Sequence, residues 1–395
     1  MGRILIANPG SSSRKYAVYS DKLEEIARLH FEYKDEKIVC SLIRGEEISP
    51  VNVECSTLND TASCLPEILQ SENIIVGDQA IETIGIRVVA PGSFFTKDHI
   101  VDDSVVSQLT AAEALAPLHI RATLAELHSL RASYPGTTIV GVSDSAFHLK
   151  KPGYAWNYGI NIQDADKFEV KRYGYHGISV AASVAALWNA GKLPPKVVVC
   201  HLGSGSSITG VFHGRTIDTT MGFTPNEGVI MATRSGTLSV DAGRELKKQL
   251  GVDDAGLDEY LNTKGGLEGI GASNDIRELL EREADGDHMA HLALTTLIHT
   301  IHKAIGSMIV AMNGCDLVVF TGTVGERSAI LRKRIVAHLE FLDFIIDGDT
   351  NEATTAPTKL TFISQSAKSR PIVVIPTDES KEIAKHTLSL LNKPE

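Results

Sequence analysis

Short apolar runs that end in polar turns set the pattern of this chain. Ile4-Leu5-Ile6-Ala7 leads into Asn8-Pro9-Gly10-Ser11-Ser12-Ser13 and then a second strand-like run at Tyr16–Tyr19. The order recurs midway, where Val197-Val198-Val199-Cys200 leads into His201-Leu202-Gly203-Ser204-Gly205 and a run from Ser206. Apolar runs bounded by Gly, Ser and Pro read as strands, so each stretch predicts a hairpin. Further strands are predicted at Gly85–Ala90, Thr138–Ser143, Asp316–Phe320 and Pro371–Pro376. Helical spacing marks Ser104–Leu130 (interrupted at Pro117), Ser179–Asn189, His288–Met312 and Glu379–Leu391. Strands followed by helices, twice over, predict an α/β chain of two similar domains.

The length of 395 residues agrees with two domains. No low-complexity linker separates them, so the boundary is expected to be a hinge. The net charge of −11 argues against nucleic acid or an anionic membrane as partner. Any phosphate site must then be built locally, from Arg, Lys and backbone amides. Cys40, Cys55, Cys64, Cys200 and Cys315 form no CxxC pair, and no signal peptide is seen at the N-terminus. They read as reduced thiols in a cytoplasmic protein. No run of about 18 apolar residues is read, so no membrane span is expected.

Gly lets a backbone approach an anion closely, and Ser adds a hydroxyl donor. Two such turns, one per half, suggest two domains gripping one polyphosphate. Neither GxxxxGK[ST] nor a strand-to-helix GxGxxG occurs, which argues against a P-loop and weakens a dinucleotide reading. Polar residues instead end the apolar strands: Asn8, Arg87, Asp144, His201, Arg234, Glu326 and Glu379. Ligand sites of α/β proteins lie at such strand ends. Phosphoryl transfer needs cations around the moving group, carboxylates for Mg²⁺, and amides for the remaining oxygens. Plainer readings stand beside this one. An Arg here can be a surface ion pair, Asp144 a turn cap, and His201 an ordinary packed histidine. His288, His291, His299 and His302 share helical spacing, which suits a core- or dimer-facing helix better than a metal site. Cys200, inside a strand, reads as a small buried hydrophobe.

Taken together, ordered blocks over essentially the whole length make the chain resemble the acetate kinase family of the actin-like ATPase superfamily. Asn8-Pro9-Gly10-Ser11-Ser12-Ser13-Arg14-Lys15 fits its N-x-G-S-[ST]-[ST]-x-K signature, and His201–Gly205 is similar to HLGNG. Pro117-Leu118-His119, Asp144–His148, Arg172–Gly177, Met221–Pro225, Thr233–Gly236, Asp275–Arg277 and Ile375–Glu379 follow in the family's order.

The resemblance implies two ribonuclease-H-like domains with a cleft between them. One covers residues 1–148 and is completed by the helix at 380–395; the other, 149–379, binds nucleotide and forms a homodimer. It implies Mg²⁺ (or Mn²⁺) on Asn8, Asp144 and Glu379, with ATP/ADP as co-substrate. Arg87, Arg234, Asp144, His176 and His119 fall at its catalytic positions. Ser11, Ser13, Lys15, His201, Gly203, Ser204 and Gly205 fall at its phosphate turns. Asp275, Ile276, Arg277, Thr323, Val324, Gly325 and Glu326 fall at its nucleoside site, and Val89, Leu118, Tyr175 and Pro225 line its acyl pocket. The implied reaction is reversible transfer from ATP to a short carboxylate. Alternatives are propionate or butyrate as acceptor, pyrophosphate as donor, or a non-catalytic nucleotide-binding regulator. Ala90, Ser204, Thr237 and Thr323 depart from the family's pattern.

Overall fold

A computed structural model describes residues 2–392 apart from 11–12, 35–36, 78 and 366–367, with Leu118 described in its backbone only. Two compact units emerge: residues up to Ala146 together with those from Asp378 onward, and Phe147–Thr377. The first carries β1 (Arg3–Pro9), β2 (Ser13–Ser20), β3 (Glu25–Lys34), β4 (Lys37–Arg44), β5 (Glu47–Val51), β6 (Ile81–Val88), β7 (His99–Ile100) and β8 (Thr138–Ser143). They form one sheet in the order β5-β4-β3-β2-β1-β6-β8-β7. Helices α1 (Thr61–Ser71), α2 (Asp103–Ala112) and α3 (Pro117–Ser133) complete this stretch. Pro117 is the first residue of α3, where its missing N–H costs nothing, so the predicted interruption separates two helices.

The second unit carries β9 (Lys196–Leu202), β10 (Ser206–Phe212), β11 (Arg215–Thr219), β12 (Leu317–Thr321), β13 (Thr361–Phe362) and β14 (Ile372–Val374). Their order is β11-β10-β9-β12-β14-β13. Its helices are α4 (Ile162–Lys167), α5 (Gly177–Asn189), α6 (Val240–Leu250), α7 (Asp254–Thr263), α8 (Gly266–Gly271), α9 (Ile276–Ala284), α10 (His288–Ala311), α11 (Gly322–Arg327), α12 (Ala329–Ala337) and α13 (Gly348–Ala353). Both predicted hairpins are present. β1 pairs antiparallel with β2 and parallel with β6. β9 pairs antiparallel with β10 and parallel with β12. Each unit thus has an antiparallel meander, five-stranded in the first (β1 to β5) and three-stranded in the second (β9 to β11), beside parallel strands, the ribonuclease-H-like order.

The last helix, α14 (Glu379–Leu391), belongs to the first unit and packs on β1, β6 and β8. Gly85 makes the close approach possible: a Cβ there would lie 2.3 Å from the Thr387 hydroxyl and 3.0 Å from Ile383. His386 of α14 bonds Asp98 (2.7 Å), and Asp98 accepts from the Ser143 amide (2.9 Å), so the helix also braces the end of β8.

One expectation needs correction. Cys55 and Cys64 are paired as a disulfide, because the segment after β5 brings Cys55 against α1, and only Cys40, Cys200 and Cys315 are free and buried. Among the described residues one helix, α10, is long and apolar enough to cross a membrane by length and composition alone. It lies under the second sheet, where Ala290, Leu294, Leu297, Ile301 and Ile305 join the core, while its outer face carries His291, His299 and Lys303.

Beneath the first hairpin lies a buried polar network. The Tyr16 hydroxyl, 2.8 Å from the Thr61 hydroxyl, donates to Glu126 (2.7 Å), and the Arg14 guanidinium lies 3.4 Å from the same carboxylate. Arg14 also donates to the Gly10 carbonyl and to Asn59 (3.0 Å), tying the turn to the body of the unit. Burial pushes the Glu126 carboxyl up to about 7. The folded state therefore holds this proton more tightly than the unfolded chain does. The contribution to stability is full below the unfolded value and is lost as pH rises toward 7. Its size is on the order of 3 kcal/mol. Glu126→Gln is expected to lessen the fall in thermal midpoint between pH 5 and pH 7.5, measured by calorimetry. An equal fall in both proteins would refute the assignment.

Candidate active site

In the first unit, three strand ends and one helix start bring four polar residues together. Asn8 is near the end of β1, Arg87 near the end of β6, Asp144 just after β8, and Glu379 at the start of α14. The Asp144 amide donates to the Val88 carbonyl (3.0 Å), which sets its side chain beside Arg87. Arg87 donates to Asp144 at 2.8 Å, lies 3.7 Å from Glu379, and reaches the Asn8 amide oxygen at 3.4 Å. Asn8 in turn donates to Glu379 at 2.7 Å. Burial opposes the charge of Arg87, but the carboxylates of Asp144 and Glu379 outweigh it and hold its pKa above the ordinary value. Asp144 is fully buried. Two carboxylates and an amide oxygen gathered in this way form an all-oxygen donor set, the kind a hard divalent cation prefers.

Val89, on the backbone next to this cluster, is buried. Ala90, where the family has a histidine, is packed into the unit's apolar core. His119 lies on α3 and is part-buried, and the side chain of Leu118 lies outside the described residues. Ser11 lies outside them too. Ser13 opens β2 and accepts the Gly10 amide (3.0 Å), while Lys15 is exposed on β2.

The second hairpin turn has its own cluster. The Gly203 amide closes the turn on the Gly205 carbonyl (3.0 Å), and the Ser204 carbonyl accepts from Ala232 (3.2 Å). A Cβ on Gly205 would lie 3.2 Å from His176 Nε2 and 3.4 Å from an Arg234 nitrogen, so the bare glycine faces both side chains. His176 sits in the left-handed region (φ 59°) at the start of α5, and its Nδ1 meets the Ser207 hydroxyl at 3.0 Å. Its ring lies 4.2 Å from that of His201, whose Nδ1 meets Ser179 at 2.7 Å. Arg234 also donates to the Pro225 carbonyl (3.1 Å), and the buried Tyr175 donates to Phe223 (2.7 Å). The turn, His176, His201, Arg234 and Pro225 therefore form one neighbourhood.

Next to it lies the region matched to a nucleoside. Leu202, Gly203, Ile276 and Val324 line one small apolar cavity. A Cβ on Gly203 would lie 4.0 Å from the Thr323 amide, so the start of α11 abuts the phosphate turn. Asp275 caps α9 and pairs with the exposed Arg277. Glu326 is engaged elsewhere: it accepts from the Thr377 amide (2.9 Å) and hydroxyl (2.6 Å), while that hydroxyl also accepts from the Gly322 amide (2.7 Å). Gly325 is buried against β9 and β12. Both residues belong to the scaffold of the turn.

Two residues support His176: His148, which ends the Asp144–His148 block but was given no role there, and Lys151, which sequence reasoning passed over. His148 bonds Thr216 (2.9 Å) and the Tyr175 carbonyl (3.0 Å). Lys151 is buried, donates to the Arg172 and Tyr173 carbonyls, and is driven down to about 8 by burial. Nothing local in the sequence marks Lys151 as buried. On α10, His291 bonds Glu283 (2.9 Å) and His302 meets the Ile335 carbonyl (3.0 Å). Among the described residues no group of three His, Cys, Asp or Glu is arranged to hold a metal.

Known proteins resemble this chain over nearly its whole length. The acetate kinase of Thermoanaerobacter pseudethanolicus is 36% identical over 400 residues, covering 98% of this chain and 99% of that protein. The acetate kinase of Natranaerobius thermophilus is 34% identical, covering 99% and 100%. Among solved structures, a propionate kinase from Francisella tularensis superposes with a TM-score of 0.87 at 32% identity, covering 98% and 100%. Porphyromonas gingivalis acetate kinase does so with a TM-score of 0.84 at 29% identity, covering 99% and 100%. Residues 3–385 match the sequence model of the Acetokinase family, and the chain belongs to that family of phosphotransferases with a carboxyl group as acceptor.

Proposed function

We propose that this chain transfers the γ-phosphoryl group of ATP reversibly to acetate, giving acetyl phosphate and ADP. The observation that carries the reading is the guanidinium of Arg87, held among Asp144, Glu379 and Asn8 at the strand ends. Those three oxygen donors suit Mg²⁺, which when bound would neutralise charge on the phosphate oxygens. Arg87 would take a substrate oxygen through its planar fork, as guanidinium groups do with carboxylates and phosphates. The carboxylate is already ionised at neutral pH, so no general base is required. The Ser207 hydroxyl, donating to Nδ1 of His176, would leave Nε2 as an N–H donor toward phosphate oxygens. Arg234 and the Gly203–Gly205 turn would share that charge. The apolar wall of Ile276 and Val324 supports a nucleoside triphosphate as donor.

The same reading makes the second unit the dimer-forming one. Tyr154, Ile162 and Phe168 are exposed there on neighbouring segments. Sedimentation should give a particle of twice the 42.5 kDa chain mass. A monomer at micromolar concentration would overturn this part.

An acyl-hydroxamate assay across acids and donors tests the function, with acetate expected to show a higher kcat/KM than propionate or butyrate. Arg87→Ala and Arg234→Ala should each lose roughly 10²–10³-fold in kcat, the usual cost of removing a donor to transition-state charge. Near-native turnover in either folded variant would remove that residue from the mechanism. Thr323 stands exposed where the family has glycine, and Thr323→Gly should lower the KM for ATP while leaving the carboxylate KM nearly unchanged. Efficient use of pyrophosphate with no use of ATP would reverse the donor assignment.

A further inference from the structure

Arg332, on α12, is the largest fully buried side chain of the molecule and is not part of the chemistry described above. Its Nε donates to the Asn351 side-chain oxygen at 2.8 Å. One terminal nitrogen donates to the carbonyls of Gly325 (2.9 Å) and Glu326 (3.0 Å), and the other to those of Asn351 (2.8 Å) and Thr354 (2.6 Å). All five N–H donors are thus placed, and every partner named is a neutral oxygen.

That arrangement is costly for an arginine with only a scaffolding task. A buried cation normally needs a carboxylate, and a well-packed apolar side chain would fill the space at lower cost. Burial indeed pulls the pKa of Arg332 down to about 10, still high enough to keep the charge at neutral pH. The partners explain the choice. Gly325 and Glu326 lie in the last turn of α11, and Asn351 and Thr354 lie at the end of α13. Carbonyls at helix ends have no intrahelical donor and carry partial negative charge. One guanidinium satisfies both ends together, which a single ammonium cannot do in the same geometry. α11 is only six residues long, too short to hold its own shape, and its first residues abut the phosphate turn.

We propose that Arg332 is a positioning residue for nucleotide binding: bonded to the Gly325 and Glu326 carbonyls, it fixes the Gly322–Arg327 turn in the conformation the nucleoside needs. This rests on the reading of that turn as the nucleoside site. Arg332→Lys keeps the charge but cannot span the fork. It should raise the KM for ATP and the calorimetric Kd for ADP about tenfold, as loss of one or two charge-assisted bonds would. The KM values for acetate and acetyl phosphate should stay within about twofold. Arg332→Met, which removes the donors but fills the volume, should weaken nucleotide binding at least as much. If Arg332→Lys does not fold, Asn351→Ala removes the Nε partner together with the bond from Asn351 to the Ala329 carbonyl, and should raise the Kd for ADP in the same direction by about threefold. A folded Arg332→Lys or Asn351→Ala protein with a lowered thermal midpoint and unchanged nucleotide affinity would overturn the proposal. Thr323→Phe separates the two levels. If it leaves the Kd for ADP unchanged, the nucleoside reading of the turn falls. If it weakens ADP binding while Arg332→Lys does not, only the positioning role falls.

Discussion

The arrangement of the first unit's acids depends on one part-buried cation. Arg87 cannot be stripped of water without partners, and Asp144 and Glu379 cannot be buried beside it without a counter-charge. Each group makes the others tolerable. The consequence is geometric: two carboxylates and an amide, drawn from strands and a helix far apart in sequence, point toward one spot before any ligand arrives. Asn8 and Glu379 are separated by 371 residues, yet are bonded at 2.7 Å. Preorganised groups of this kind need not rearrange when charge develops in a reaction.

The two hairpins show how one backbone plan can be stiffened in two ways. β1–β2 is anchored from below by Arg14, Glu126 and Tyr16, side chains that thread through the core. β9–β10 is anchored by its own closing hydrogen bond and by the paired rings of His176 and His201. The first solution leaves the cation inside the unit. The second turns His176 and Arg234 toward the bare glycine of the turn, where they are of use to an anion.

Much of the architecture was legible because the parallel strands are buried on both faces and read as unbroken apolar runs; Thr138–Ser143 and Glu379–Leu391 match the observed bounds. β3 to β5 were not read. Their burial alternates and their outward positions carry Arg28, Glu32 and Lys34, so they resemble polar loops. The shorter helices of the second unit, such as α6 and α9, have polar compositions with few buried residues. Site residues at strand ends were legible because turn chemistry marks where a strand stops. Partnerships were not. Glu326 reads as part of a nucleoside motif, but its carboxylate is committed to Thr377, 51 residues away. Arg14 and Arg332 carry no local sign that they are buried. Long-range pairing decides such cases, and no window of sequence contains it.

The place of α14 has a consequence for how the molecule comes into being on the ribosome. β1 and β6 are made before every strand of the second unit, yet the helix that covers them, and the carboxylate that Asn8 and Arg87 await, are made after all of those strands. The whole of Phe147–Thr377 is translated in between. The early sheet must wait with an apolar face uncovered around Gly85, while the later unit has everything it needs to fold at once. Birth order and folding order are therefore inverted: the first unit is begun before the second and completed only after it.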